Sequence, residues 1–179
     1  MQITRDYQLI TAPIGLERLA PTIPIVGMAE REAEEVSDFF GRLVNSLPYY
    51  NMSAKEGEKA KYAAGELRRT IARDPEAVLI ARLESRLVGF CFSNRDDQTV
   101  WLSWFGVAPE HRKSGVGTAL LAGMERRARK LNSHKIWCDS RTDNKPSAAL
   151  LRSRGYSQIC ILKRHWYGQD FYLWEKFVG

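Results

Sequence analysis

The sequence predicts one α/β (α+β) domain, residues 1–179, in which a mixed sheet carries helices on both faces. Three observations predict it. Strand-like runs and amphipathic helices interleave along the chain, an order that a helix-flanked sheet houses economically. The longest helical pattern, opened by Arg112 to Gly117 and running to Leu131, follows an apolar, β-branched run from Val100 to Val107. Composition is that of an ordinary globular domain, 44% hydrophobic and 27% charged over 179 residues, with no linker, internal repeat or low-complexity tract dividing it.

Met1 to Ile10 alternates weakly and is expected as a first strand, and Pro13, Gly15, Pro21 and Pro24 mark an irregular connection after it. From Ala29 to Val44, the stripe Val36, Phe39, Phe40, Leu43 and Val44 opposes Glu32, Glu34, Glu35 and Asp38, the pattern of an amphipathic helix. Leu47-Pro48-Tyr49-Tyr50 breaks it. Ser53, with Glu56 three residues on, reads as a capping box opening one helix that shows Tyr62, Leu67 and Ile71 on one face and ends at Asp74-Pro75.

Ala77 to Leu83 and Leu87 to Ser93 read as a hairpin around Glu84-Ser85-Arg86, with Asn94 to Gln98 a polar turn into the central strand. Pro109, which has no N–H for a ladder, stops that strand. The helix after it repeats Leu120, Leu121, Met124, Ala128 and Leu131 at three- and four-residue spacing, and Arg126, Arg127, Arg129 and Lys130 read as its solvated, dipole-complementing end. Lys135 to Ser140 is a strand, and Asn144 to Arg154 a helix with Pro146 in its first turn and Gly155 at its end. Tyr156 to His165 and Asp170 to Val178 add two strands around Tyr167-Gly168.

Composition narrows the function classes. No apolar run is long enough to span a bilayer and no basic-then-apolar leader is seen, so the cytoplasm is the expected address. Cys91, Cys138 and Cys160 lie in apolar strand-like stretches without metal spacing and read as reduced core thiols. A formal charge of +6 suits a polyanionic ligand. Nucleic acid is disfavoured, because no alternation of basic and aromatic residues marks a stacking surface. His111, His134 and His165 share no metal or triad spacing, and no Gly-x-Ser-x-Gly elbow is present.

Strand, basic glycine turn and helix together point free backbone N–H groups at an anion, most naturally a pyrophosphate. Two common phosphate motifs are excluded. A Walker loop beginning at Gly106 would need glycine where His111 stands, and a G-x-G-x-x-G fingerprint on Gly115 and Gly117 would need glycine at Leu120. Arg112-Lys113-Ser114-Gly115-Val116-Gly117, after a strand ending Val107-Ala108-Pro109-Glu110, instead resembles the acetyl-CoA-binding signature of the GNAT N-acetyltransferase superfamily, (Gln/Arg)-x-x-Gly-x-(Gly/Ala). Trp137-Cys138-Asp139-Ser140-Arg141, Asn144, then Ala148, Leu150, Leu151, Gly155 and Tyr156 resemble that family's next strand, loop Asn and closing helix. They are nearest to the branch that acetylates the N-termini of ribosomal proteins. The resemblance spans Val78 to Val178.

The resemblance implies a mostly antiparallel sheet of six to seven strands, acetyl-CoA as acyl donor, no metal, and transfer to a primary amine of a small molecule or peptide by direct attack. It implies that the strand ending at Val107 splays from Lys135 to Ser140, with pantetheine between them. The cofactor would be held by Phe105, Val107, Arg112, Lys113, Ser114, Gly115, Val116, Gly117, Thr118 and Asn144. Asp139 stands where the ribosomal branch carries a carboxylate and is the candidate general base. Alternation puts it on the face of Trp137, away from Cys138, where semi-burial would raise its pKa. Its plainer reading is a turn cap or a partner of Arg141. Tyr49 and Tyr50 occupy the connection that contacts the acceptor in this superfamily and are the candidate substrate contacts. Homodimers occur among relatives, but no residue here marks an interface.

Two family features are missing. Trp101 stands where the histone-acetylating branch carries a glutamate base, and Leu151 where many relatives carry an acid tyrosine, leaving Tyr156, Tyr167 and Tyr172 as alternatives. A highly cationic acceptor would need Glu56, Glu58, Asp96, Asp97 and Asp139 to cluster. The alternative function is a non-catalytic acyl-CoA-binding sensor module, separated from the enzyme by turnover with any amine.

Overall fold

The computed structural model describes residues 23–179, so the strand expected at Met1 to Ile10 and most of the connection after it lie outside the described residues. Among the described residues, seven strands form one sheet: β1 (Ile25–Gly27), β2 (Val78–Leu83), β3 (Arg86–Asp96), β4 (Thr99–Val107), β5 (Lys135–Arg141), β6 (Ser157–Leu162) and β7 (Phe171–Phe177). Their order is β1-β2-β3-β4-β5-β7-β6, with β4 and β5 parallel and every other pair antiparallel. The parallel step needs a crossover, which α4 (Val116–Lys130) supplies. The other helices are α1 (Ala33–Ser46), α2 (Met52–Lys61), α3 (Ala64–Arg73) and α5 (Lys145–Ser153).

Alternation along the strands builds two cores, one per face. Leu79, Ala81, Val88, Cys91, Val100, Leu102, Ile136 and Cys138 pack with Leu120, Leu121, Met124 and Ala128 of α4 and Leu151 of α5. On the opposite face Val78, Ile80, Phe90 and Phe92 meet Val36, Phe39, Phe40, Leu43 and Val44 of α1, the stripe that the sequence marks out. Phe40 is ringed by Tyr62, Phe90, Phe92 and Trp104 at 5.0 to 5.7 Å between centroids. Removing a ring so enclosed costs about 3–5 kcal/mol.

Several expectations are corrected. The single helix expected from Ser53 is two, α2 and α3, and Asn51, not Ser53, caps the first by accepting the Ala54 N–H at 2.8 Å. The break falls where Ala63 is extended, and it lets Tyr62 stack on Phe92 at 4.6 Å; packing of one ring overrides continuity of the helix. The polar turn expected at Asn94 to Gln98 is mostly strand, because backbone pairing to Thr99, Val100 and Trp101 does not need apolar side chains. Asp97 alone takes a left-handed φ of 49° there.

Cys91 and Cys138 are buried as expected, but Cys160 is exposed because β6 is an edge strand. Arg127 is not part of a solvated helix end. It is 2% exposed, its Nε donates to Ser93 Oγ at 3.0 Å, and its two Nη atoms donate to the carboxylate of Asp74, clamping α4 to the end of α3.

Candidate active site

The site begins where the sheet comes apart. β4 and β5 pair from Thr99 with Lys135 to Leu102 with Cys138 and then separate, so the β5-facing main chain of Ser103 to Val107 has no strand partner. The splay expected from the sequence is therefore present. Asp139 is the first β5 residue past the last pair.

A bulge sits at the same point on the other side of β4. Phe92 opposes Trp104 while Ser93 opposes Leu102, leaving Ser103 as the extra residue. The extra residue resets the alternation. Val100 and Leu102 face the α4 core, and beyond the bulge it is Phe105 and Val107 that do so. Trp101 and Trp104 consequently share the α1 face with Asp139 and Arg141, and all four line one cavity of about 310 Å³. Tyr49, Tyr50, Glu58, Tyr62, Trp166, Tyr167 and Asn144 also line it.

At the start of α4, Lys113 and Gly115 take positive φ values of 62° and 89°, and this double left-handed turn ends the loop and begins the helix. Gly115 has no side chain to cap the helix, so the N–H groups of Val116, Gly117 and Thr118 lack an intrahelical acceptor and project past exposed Arg112, Lys113 and Ser114. A Cβ on Gly115 would meet only Ile23 Cδ1 at 3.9 Å, so the space in front of the turn is open to an anion. Gly117 serves packing instead, since a Cβ there would meet Leu150 Cδ2 at 2.9 Å. Asn144 caps α5 by accepting the Ser147 N–H on Oδ1 at 3.3 Å, which leaves its amide nitrogen as the group available to the cavity.

Within the cavity, Asp139 Oδ2 accepts a hydrogen bond from Trp166 Nε1 at 2.6 Å. Burial, helped by the charge of Glu58, pushes its carboxyl up to about 6 against the lowering effect of that bond, of His165 and of Lys61. It does not pair with Arg141, which pairs with Asp143 at 2.9 Å. Glu58 is 7% exposed and takes Trp104 Nε1 at 2.8 Å, Lys61 Nζ at 3.0 Å and the Tyr167 hydroxyl at 3.1 Å. Tyr50 packs on Trp104 at 5.6 Å, and burial raises its hydroxyl far above the ordinary range. Gln169 Nε2 donates to the Tyr49 carbonyl at 3.0 Å, so the β6–β7 loop is tied to the α1–α2 connection over the cavity.

Of the five carboxylates that could cluster, Glu58 and Asp139 reach the cavity; Glu56, Asp96 and Asp97 do not line it. Among the alternative tyrosines, Tyr156 is buried in the α4 core and Tyr172 packs against that core, whereas Tyr167 lines the cavity. Trp101 and Trp137 meet edge to face at 5.2 Å. No cluster of His, Cys, Asp or Glu among the described residues could hold a metal. No helix among them is long and apolar enough to cross a membrane. From the sequence Glu58 is one of several carboxylates that could cluster, and Trp166 one of five tryptophans expected mostly in the core with some able to line an acceptor pocket; Trp166 does line the cavity, and its bond to Asp139 depends on the path of the β6–β7 loop.

A family model described as the acetyltransferase (GNAT) family matches residues 44–156. No curated protein sequence matches the chain. Among solved structures, the fold is shared with a GNAT-family acetyltransferase from Streptococcus pneumoniae (TM-score 0.74, 16% identity, 88% of this chain and 99% of that one). It is shared also with a PaiA N-acetyltransferase from Thermoplasma acidophilum in complex with coenzyme A (0.73, 18%, 87% and 98%). A ribosomal-protein-alanine N-acetyltransferase from Brucella melitensis is similar to the same degree (0.70, 22%, 87% and 99%).

Proposed function

The chain belongs to the acetyltransferase (GNAT) family, and from that premise we propose that it moves acetyl from acetyl-CoA to a primary amine by direct attack, with Asp139 as general base. The observation that carries the reading is the place of Asp139: immediately past the last β4–β5 pair, in the cavity, and with a carboxyl pushed up to about 6. Such a group is mostly ionised at neutral pH yet more basic than an ordinary carboxylate, as suits it to take, directly or through water, the proton of the attacking nitrogen once bonding to the carbonyl has made that proton acidic.

The N–H groups of Val116, Gly117 and Thr118, with Arg112, Lys113, Ser114 and Gly115, would bind the pyrophosphate. The β5-facing main chain from Phe105 to Val107, which has no partner on that side, would hold the pantetheine arm in the fork, helped by the amide nitrogen of Asn144. Acetyl-CoA supplies the thioester. The chain's part in the transfer is to hold the amine against that carbonyl, stabilise the oxyanion with a β4 N–H and receive on Asp139 the proton that the nitrogen loses; the C–N bond forms, the C–S bond breaks, and the departing thiolate takes up that proton from Asp139 through water, so that CoA leaves as thiol. Tyr49 and Tyr50 would wall the acceptor, and Glu58 would add negative potential that draws the ammonium in.

The test is thiol release from acetyl-CoA against a panel of amines and peptides, beside calorimetry for CoA. Turnover that Asp139→Asn suppresses near neutral pH, with CoA affinity retained, is the expected outcome. CoA binding without turnover on any amine would mark an acyl-CoA sensor instead, and absence of binding would remove the cradle.

A further inference from the structure

We propose that the amine acceptor carries a carboxylate close to its amino group, as a free amino acid does, and that Arg141 holds that carboxylate. The proposal rests on the acetyl-transfer reading and names its acceptor class. Arg141 lies two residues beyond Asp139 on the same face of β5 and lines the cavity, with its side chain only 9% exposed. The rings of Tyr49 and Phe171 pack on its guanidinium, at 5.9 and 5.7 Å from the Cζ carbon. Of its nitrogens, Nη2 donates to Asp143, whose own side chain is 64% exposed. Nε and Nη1 are buried and meet no acceptor among the described residues.

A buried guanidinium with two nitrogens unmatched is costly; Nε and Nη1 lie on different edges of its plane, so a carboxylate takes one charge-assisted bond from Nη1 or from Nε, with the spare N–H of Nη2 on the same edge. The other carboxylates of the cavity are engaged elsewhere: Asp139 with Trp166, and Glu58 with Trp104, Lys61 and Tyr167. The cavity therefore has a negative end at Asp139 and Glu58 and a positive end at Arg141. Residues two apart on a strand face are separated by about 7 Å, a span that an ammonium and a carboxylate a few bonds apart can bridge.

A polyamine would set a second cation against Arg141, and a peptide N-terminus would present an amide where the carboxylate is needed. At about 310 Å³ the cavity takes one small molecule. The Tyr49 ring covers the guanidinium, so the carboxylate reaches it as that ring moves aside.

The experiment compares, in the thiol-release assay, free amino acids with their amides, their decarboxylated amines and dipeptides, on wild type, Arg141→Gln and Arg141→Lys. Free amino acids are expected to show a KM at least about tenfold below that of the matched amides, the worth of one charge-assisted pair. Arg141→Gln should erase that gap and Arg141→Lys should keep part of it. Turnover of amines or peptides with no preference for the carboxylate, or an Arg141→Gln effect equal on acids and amides, overturns the proposal and leaves acetyl transfer standing. Absence of turnover on every amine overturns both.

Discussion

The indole Nε1 of Trp166 donates to Asp139 Oδ2 at 2.6 Å, so a side chain from the β6–β7 loop stabilises the charged form of a buried carboxylate on β5. Removing that donor while keeping an aromatic body removes a pKa-lowering interaction. Trp166→Phe should therefore raise the Asp139 pKa above its value of about 6. If ionised Asp139 is the active form, the acid limb of kcat/KM against pH moves to higher pH in the variant. An unmoved limb, or one moved to lower pH, would detach Asp139 from the proton transfer.

Gly115 has a φ of 89° and only Ile23 Cδ1 near its missing Cβ. Gly115→Ala should cost about 1–2 kcal/mol of stability through the left-handed backbone. Gly115→Glu should in addition abolish CoA binding, by placing a carboxylate where the helix N-terminus would receive the pyrophosphate. Calorimetry on the folded variant checks this, and unchanged CoA affinity would dismiss the cradle.

Asp74 answers a guanidinium that is 2% exposed. Asp74→Ala leaves Arg127 charged and buried without its carboxylate, at a cost of about 3 kcal/mol. Adding Arg127→Met should recover much of that loss. Urea midpoints at unchanged slope measure both, and a loss under about 1 kcal/mol in the single variant would contradict the clamp.

Burial raises the thiol pKa of Cys91 and of Cys138, the latter also through the charge of Asp139, while Cys160 is exposed on β6. A thiol-reactive disulfide reagent should thus label Cys160 quickly in the native protein and the other two on unfolding. Peptide mapping of the labelled protein decides it, and fast labelling of Cys91 or Cys138 would contradict their burial.

The layer order and both helical stripes were legible because they are periodic: Leu120, Leu121, Met124 and Ala128 repeat at helical spacing, and so do Val36, Phe39, Phe40 and Val44. The place of Asp139 beside Trp137 and opposite Cys138 follows from alternation alone, since no bulge interrupts β5. On β4 the same rule fails. Counting by twos from Leu102 puts Trp104 on the α4 face, and only the extra residue at Ser103 brings it round beside Trp101. Arg127 was unreadable for another reason: its partners, Asp74 and Ser93, are distant in sequence, and four cations at a helix end look solvated until the packing is known.

β4 and β5 meet through four residue pairs, Thr99 to Leu102 against Lys135 to Cys138. That short seam, with α4 spanning it, joins two slabs of sheet: β1 to β4 on one side, and β5, β7 and β6 on the other. A molecule seated in the fork beyond the seam grips both slabs at once and acts as a mortar between them. Amide exchange in β5 and β7, distant from the glycine turn, therefore becomes a gauge of whether the fork is filled.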